Sequence, residues 1–503
     1  MKKLLTVLLV LVMATSLLAA CGSGDDGGTG TPAKEETTTS TPAKEEVVQS
    51  TEGYKTDEIT VYIRMMESQD KWFRENIIAD FEKETGVKVN VRTFENTVDL
   101  MQVLELDKGQ NTVGLVKTAD SMLTPLVANE LIMNLKDVEG IDLEADLDEY
   151  LDQALELSYV DGEPYFIPRK LETNTLLYLK TPVADAVANW EGMKADIEAM
   201  FKAENGVGLP DGYALEADPN MWDWYDLAVV GYYWSNTEMD GVVEPGIAHR
   251  GKDYGGTQTE LVTKAFQAGA SQEDVLNMTG QAIVDTYEWE VFMKDNGLYN
   301  PGMWEEGWSG GGIWNAMAAG KVYLAFMHQI DAFFIHGGTD PSMTGYLVDP
   351  DEMAVAVMPA GASLEIADGA PVRMGDHASQ LGGWSWGIPT STPDANLSYD
   401  LARYITNAEN HAKEASTFGM MPVRKDIMAN LGDSFDQAWI QDVFNNAVNQ
   451  LGQNVTKLPV DARWPEIGQL YNDAWYDIVV NNNNSDIEAT LKTYADKAAE
   501  ILK

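Results

Sequence analysis

The pattern that most constrains the fold lies between residues 59 and 91, where a strand, a helix and a second strand follow one another. Residues 59–63 are mostly β-branched and apolar, which predicts a strand. A large apolar residue then recurs every four positions, as on one face of a helix, at Phe73, Ile77 and Phe81. Apolar and polar residues alternate next, at Val87, Val89 and Val91. This order favours a parallel sheet covered by helices and predicts the α/β class.

Later segments continue the alternation. Residues 123–131 predict a helix, and residues 355–358 predict a strand. Ser485 and Glu488 have the spacing of a capping box at the start of a last helix. Because 503 residues are too many for one ordinary core, we expect two lobes or more.

The N-terminus has the pattern of an export signal. Lys2 and Lys3 precede a mostly apolar run over residues 4–12, and small residues lead to Cys21. The run is shorter than the roughly 20 residues that a membrane span needs. Leu-Ala-Ala-Cys at 18–21 resembles the bacterial lipobox, in which the cysteine is acylated. We therefore expect a signal peptide over residues 1–20 and a lipid such as palmitate on Cys21, which holds the protein on the outer face of the cytoplasmic membrane.

The next segment predicts a tether. A unit Thr-Pro-Ala-Lys-Glu-Glu occurs at residues 31–36 and again at 41–46, and no large apolar residue lies between Cys21 and Val47. Such a composition cannot bury enough apolar surface to offset the entropy cost of ordering. Residues 21–55 are therefore predicted to be a disordered, lipid-anchored tether.

Charge and cysteine content exclude several classes of partner. The net charge of −46 predicts repulsion of nucleic acid and of anionic headgroups, so that the lipid anchor is the only expected membrane contact. Cys21 is the only cysteine, which excludes an intrachain disulfide. The acidic segments lack the spacing of a calcium-binding EF-hand, and no metal or cofactor is expected.

Clustered tryptophans give the clearest chemical signal. A flat ring can cover the apolar face of a sugar while polar groups bind its hydroxyls. Any one of the clustered tryptophans could instead pack in the core of the protein. The candidates for ligand binding are Trp222, Trp224, Trp308, Trp384 and Trp386.

Polar candidates follow predicted strands or turns. In open α/β sheets, ligands bind beyond the carboxyl ends of the strands. That rule indicates Glu67, Glu95 and Asp120. Arg169 and Arg424, which follow Ile-Pro and Met-Pro-Val, could bind hydroxyls or simply pair with acids.

Five stretches of the chain resemble extracellular solute-binding proteins of the sugar-binding type, which serve ATP-binding-cassette importers. They occur in the order seen in that family, at residues 78–89, 165–168, 317–322, 382–389 and 418–424. The resemblance implies a two-lobed, periplasmic-binding-protein-like fold with a ligand cleft between the lobes. It also implies a ligand-near turn at Asp331, and a monomer that binds a carbohydrate and the subunits of a membrane permease.

The same resemblance suggests how the chain divides between the lobes. We expect residues 56–167 and 328–410 in the N-terminal lobe, and residues 168–327 and 411–503 in the C-terminal lobe.

Catalytic signatures are weak, and the family resemblance is the main reason why we predict a binding protein and not an enzyme. Residues 246–253 nearly match a phosphate-binding loop, but Asp253 stands where that loop needs Ser or Thr. Two alternatives remain open at this stage. One is a secreted carbohydrate-active hydrolase, which needs two opposed carboxylates. The other is a lipoprotein that senses or adheres without transport.

Overall fold

Two β-sheets organise the chain in the computed structural model, which describes residues 53–95, 97–239, 241–336, 348–349 and 351–503. The predicted signal peptide, Cys21 and the tether as far as residue 52 lie outside the described residues. The described residues belong to one compact unit, Val48–Lys503.

The first sheet has six strands and contains the predicted strand–helix–strand unit. Glu58–Ile63 pairs in parallel with both Lys88–Thr93 and Val113–Ala119. Ser379–Gly387 pairs antiparallel with Val113–Ala119 and Phe166–Glu172, and in parallel with Val455–Lys457. The helix that joins the first two strands runs through Glu67–Trp72, a π-helical segment Phe73–Ile78, and Ala79–Thr85. Its predicted apolar face is buried, and Gly86 ends it with a φ of 73°. The α/β prediction is confirmed.

The second sheet has four strands in the order Met353–Ala356, Asn174–Leu179, Leu324–His328 and Ile247–Ala248. Its first two neighbouring pairs are antiparallel and the last is parallel. Two short antiparallel pairs lie apart from both sheets, Tyr159–Val160 with Glu163–Pro164 and Ile366–Ala367 with Ala370–Pro371.

A buried network marks the crossing between the sheets. Thr173 alone separates the first-sheet strand Phe166–Glu172 from the second-sheet strand Asn174–Leu179. The Thr173 backbone N–H donates to Gln329 Oε1 at 3.0 Å, and its hydroxyl donates to Ser379 Oγ at 2.9 Å. These three side chains therefore tie the crossing strands together at the junction.

Two strands lie in a different sheet from the one that the expected lobe boundaries indicate. Met353–Ala356 lies in the second sheet, although we expected residues 328–410 in the first lobe. Val455–Lys457 lies in the first sheet, although we expected it in the second lobe. The lobe boundaries themselves stay a prediction.

Helices surround both sheets. The longer ones are Thr97–Asp107, Lys180–Asn189, Lys194–Asn205, Trp224–Asn236, Gly255–Gln267, Gln281–Asp295, Gly310–Ala318, Ala395–Ile405, Ala408–Phe418, Ala438–Leu451, Trp464–Trp475 and Ile487–Ile501. The shorter ones are Leu123–Ala128, Leu143–Asp148, Asp152–Leu155, Gln272–Asn277, Gly302–Glu305, Asp331–His336, Lys425–Met428 and Leu431–Ser434. Within the described ranges, none is long and apolar enough to cross a membrane.

The predicted capping box of the last helix is wrong. Asp486, not Ser485, caps Ile487–Ile501, because its carboxylate accepts the backbone N–H of Ala489 at 2.9 Å.

Candidate ligand-binding cleft

A cavity of about 720 Å³ opens between the two sheets. This volume lies within the roughly 300–1,000 Å³ that is usual for small-molecule sites. The first sheet contributes polar and aromatic side chains to its wall, namely Lys117, Lys170, Glu172, Gln380 and Trp384. The opposite wall comes from the second sheet and nearby helices, and includes Arg250, Tyr254, Gln258, His328 and Phe334.

Strand ends position the first-sheet wall. Arg64, Met65 and Met66 directly follow Glu58–Ile63, and Asp120 directly follows Val113–Ala119. The cavity thus lies beyond the carboxyl ends of two neighbouring parallel strands, where the topology predicts a ligand.

Trp384 provides an aromatic surface on the wall. It is half-buried on Ser379–Gly387, and the Lys117 ammonium lies 4.0 Å from the centre of its ring. The Lys170 ammonium lies 5.8 Å from the same ring. Cations at these distances are attracted to the face of an indole. The site therefore combines a flat apolar surface with positive charge.

Charged groups in the cavity shift one another's pKa values. Burial, together with the nearby charge of Glu172, raises the pKa of Asp120 to about 7. Burial opposes ionisation of Glu172 as well, but Lys170 and His328 outweigh it and hold the pKa of Glu172 at about 2. Asp120 therefore titrates near neutral pH, whereas Glu172 stays ionised.

Burial lowers the pKa values of two basic groups in the cavity wall. Burial, with repulsion from Arg169 and Lys170, lowers the pKa of the Lys117 ammonium well below its ordinary value. Burial and the charge of Arg250 lower the pKa of His328 to about 4, so that its imidazole is neutral at pH 7.

Arg250 is held rigidly in the opposite wall. Its Nη1 donates to Glu260 Oε1 at 2.6 Å, and its Nη2 donates to Asp331 Oδ2 at 2.7 Å. Burial disfavours the charged guanidinium, but these two carboxylates more than offset burial and raise the pKa of Arg250. Its charge is thus permanent and already paired with acids.

Of the residues predicted from the sequence, the structure places Asp120 and Trp384 on the cavity wall. Asp331 lies behind the wall, where it binds Arg250 and accepts the Trp314 indole N–H at 3.0 Å. Glu67 and Glu95 follow strands as expected, but both side chains are exposed and neither lines the cavity.

The two predicted arginines pair with acids instead of lining the cavity. Arg169 is fully buried and pairs with Glu414. Arg424 pairs with Glu149 and Asp426, each at 2.8 Å.

The four other predicted tryptophans pack in the interior. Trp386 is 0% exposed and stacks on Phe73 with ring centres 6.1 Å apart. Trp222, Trp224 and Trp308 are also buried, and their indole N–H groups donate to Glu216 O, Gln267 Oε1 and Glu306 Oε2.

Sequence reasoning missed most of the charged wall. Lys117 lies on Val113–Ala119, two residues before its carboxyl end, so the strand-end rule indicated the neighbourhood of Lys117 but not the residue itself. Lys170 and Glu172 alternate on Phe166–Glu172, which placed them on one face of that strand. We find no local sequence signal for Arg250 or Tyr254, since distant elements bring them to the cavity. In the part of the chain that the structure describes, no group of three or more His, Cys, Asp or Glu could hold a metal ion.

Solved structures share this fold at low sequence identity. The maltose-bound MalE3 of T. maritima is 14% identical with a TM-score of 0.65, covering 88% of this chain and 99% of that chain. A solute-binding protein of an ABC transporter from Thermotoga lettingae, bound with α-D-tagatose, is 17% identical with a TM-score of 0.62, covering 89% and 100%. An ABC substrate-binding protein from Listeria monocytogenes, in complex with cycloalternan, is 15% identical with a TM-score of 0.62, covering 88% and 98%. These likenesses establish the two-lobed fold.

The sequence itself identifies the family. No curated protein matches the chain. The family described as bacterial extracellular solute-binding protein matches residues 76–441, which is most of the chain. Together with the fold and the cavity between its sheets, this match shows that the chain belongs to the bacterial extracellular solute-binding proteins.

Proposed function

We propose that this protein captures a carbohydrate in the cavity between its sheets and delivers it to an ATP-binding-cassette permease. The observation that carries the proposal is the cavity of about 720 Å³, in which the half-buried Trp384 ring stands beside hydrogen-bonding side chains. An aromatic ring covers the apolar face of a pyranose, and the polar groups reach its hydroxyls. The bound tagatose, maltose and cycloalternan of the structural neighbours support a carbohydrate ligand.

Hinge closure is the proposed mode of capture. The two sheets are joined at Thr173 and the network around it, so a small backbone change there moves one wall of the cavity toward the other. The closed form gains contacts only when ligand is present, and ligand therefore shifts the population toward it.

Thermal melts with a panel of mono- and oligosaccharides test the proposal. At least one sugar raises the melting temperature, and the same sugar decreases the radius of gyration in solution scattering. A panel that leaves both quantities unchanged contradicts carbohydrate capture. A non-cognate polyol such as glycerol at the same concentration is the control for solvent effects.

The lipid anchor is tested separately in cells. Export to the outer face of the cytoplasmic membrane and acylation of Cys21 predict that the wild-type protein sediments with membranes. Cys21→Ser cannot be acylated and should appear in the medium or the soluble envelope fraction. Retention of Cys21→Ser on the membrane contradicts the anchor.

One observation favours a carbohydrate-active hydrolase as the second candidate. Asp120 and Glu172 face one cavity, and their pKa values of about 7 and about 2 differ as those of a proton donor and an ionised partner do. Incubation of the protein with oligosaccharides and chromatography of the products decides between the two functions. A binding protein returns every oligosaccharide intact.

A further inference from the structure

The cavity reverses the charge balance of the chain. The whole sequence has 34 lysine and arginine residues against 80 acidic residues. The cavity wall has more basic than acidic side chains, with Asp120 and Glu172 opposed by Arg64, Lys117, Lys170 and Arg250. A chain that is acidic as a whole therefore has a mainly basic wall in this cavity.

Two of the four cations are neutralised within the protein. Lys170 pairs with Glu172. Arg250 pairs with Glu260 and Asp331 at 2.6 and 2.7 Å. These groups still donate hydrogen bonds, but they do not require a charge from the ligand.

The surroundings of Lys117 and Arg64 are different. Lys117 is 3% exposed, and its ammonium donates to the backbone carbonyl of Arg64 and lies 4.0 Å from the Trp384 ring centre. Among the described residues, neither Lys117 nor Arg64 forms an ion pair with a carboxylate. A buried cation that contacts no carboxylate is costly, because Glu172 and Glu414 offset only part of the effect of burial on Lys117. Closure of the cleft over a neutral ligand would bury this ammonium further.

We infer that the ligand is an anionic carbohydrate, whose carboxylate or sulfate group lies against Lys117 and Arg64. This inference rests on the proposed function and names the class of sugar. Lys117 lies over the Trp384 indole, so a sugar ring that packs on the exposed part of that indole has its substituents close to the ammonium. An anionic substituent supplies the missing counter-charge and forms charge-assisted hydrogen bonds with both residues. The depressed pKa of Lys117 agrees with a site that lacks its anion.

Matched sugars test the inference by titration calorimetry at pH 7. Neutral di- and trisaccharides of glucose, galactose and mannose are each compared with the uronate of the same linkage and with a sulfate ester. We expect the wild-type protein to bind an anionic member about tenfold or more tightly than its neutral counterpart. The uronate and sulfate arms then identify which anion the site takes.

Substitutions assign the preference to the two residues. Lys117→Met removes the charge and keeps most of the side-chain volume, and it should lose about tenfold more affinity for the anionic sugar than for its neutral counterpart. Lys117→Arg keeps the charge and should retain the preference. Arg64 is exposed, so Arg64→Gln tests the same preference without changing the core. Lys497→Met is the control, because that ammonium also lies 4.0 Å from an aromatic ring, that of Tyr494, but outside the cavity.

The outcomes separate this inference from the proposed function. Equal or tighter binding of the neutral sugars by the wild-type protein overturns the anionic ligand and leaves carbohydrate capture intact. Equal losses for both sugars in Lys117→Met also overturn it. If no sugar of either set binds, the proposed function fails and the inference fails with it.

Discussion

Trp384 and Trp386 give the sharpest test of the site, because they are two residues apart on one strand in different surroundings. Trp384 lines the cavity and is half-buried. Trp386 is 0% exposed, and its ring stacks on Phe73 beneath the first helix. Replacing each by alanine should therefore change a different property of the protein.

Trp384→Ala should weaken ligand binding. Truncation of a buried aromatic anchor typically costs at least about 2 kcal/mol, which corresponds to a loss of roughly thirtyfold in affinity. The contact between Lys117 and the indole is lost too, and such contacts contribute about 0.5–2 kcal/mol to stability or to preorganisation. We expect the free energy of unfolding to fall by no more than about 2 kcal/mol.

Trp386→Ala should instead destabilise the fold. Large-to-small changes at such core positions cost about 3–5 kcal/mol of unfolding free energy. Among the residues that the structure describes, the buried Trp386 indole N–H has no hydrogen-bond partner, and removing this group recovers part of the cost. We therefore expect a loss near the lower limit, about 3 kcal/mol. Trp386→Phe keeps a ring and removes the unpaired N–H, so it is the matched control and should lose less.

Urea unfolding and titration calorimetry on the three variants decide the question, using the sugar that binds the wild-type protein most tightly. Trp384→Ala is expected to fold with weakened binding, and Trp386→Ala to bind normally once corrected for its folded fraction. The reasoning is refuted if Trp384→Ala keeps full affinity, or if a stable Trp386→Ala loses it. Either result would place the ligand against a different part of the wall.

Two further predictions concern buried charge. Glu414→Gln leaves the fully buried Arg169 without its carboxylate, so urea unfolding should show a loss of about 3–5 kcal/mol, whereas sugar affinity per folded molecule stays unchanged. Burial and the charge of Glu172 raise the pKa of Asp120 from its ordinary value to about 7. The protonated form of Asp120 therefore stabilises the folded protein. This contribution is complete below about pH 4 and is lost as the pH rises through about 7. Asp120→Asn should flatten this fall in unfolding free energy between about pH 4 and 7, and an unchanged slope contradicts the assignment.

Local periodicity predicts much of the first sheet. The buried faces at Phe73, Ile77 and Phe81 and the parallel strand that follows agree with the structure because these contacts form within about 40 residues of chain. Local periodicity does not fix the residue at which a helix begins. Ser485 and Asp486 are both good caps one residue apart, and only the backbone geometry selects Asp486.

The site is harder to predict, because its residues are sorted by contacts between distant segments. The strand-end rule finds Asp120. It cannot show that Glu414, 245 residues from Arg169, neutralises that arginine in the interior. Nor can alternation along Ser379–Gly387 distinguish Trp384 from Trp386, since both lie on one face and the Phe73 ring that stacks on Trp386 comes from a distant segment.

The net charge of the chain also fails to predict the charge in the cavity. A charge of −46 describes what the outer surface repels, and at physiological salt this repulsion is screened beyond about 8 Å. Inside the cavity, the charges that a ligand meets are at contact distance, and the buried Lys117 is shielded from solvent, so it acts with little screening, whereas the exposed Arg64 is screened more. An acidic chain can therefore exclude polyanions such as nucleic acid from its surface and still favour a small anion in its cleft. The composition determines whether the surface repels polyanions. Binding of a small anion depends instead on which few cations in the cleft do not contact a carboxylate.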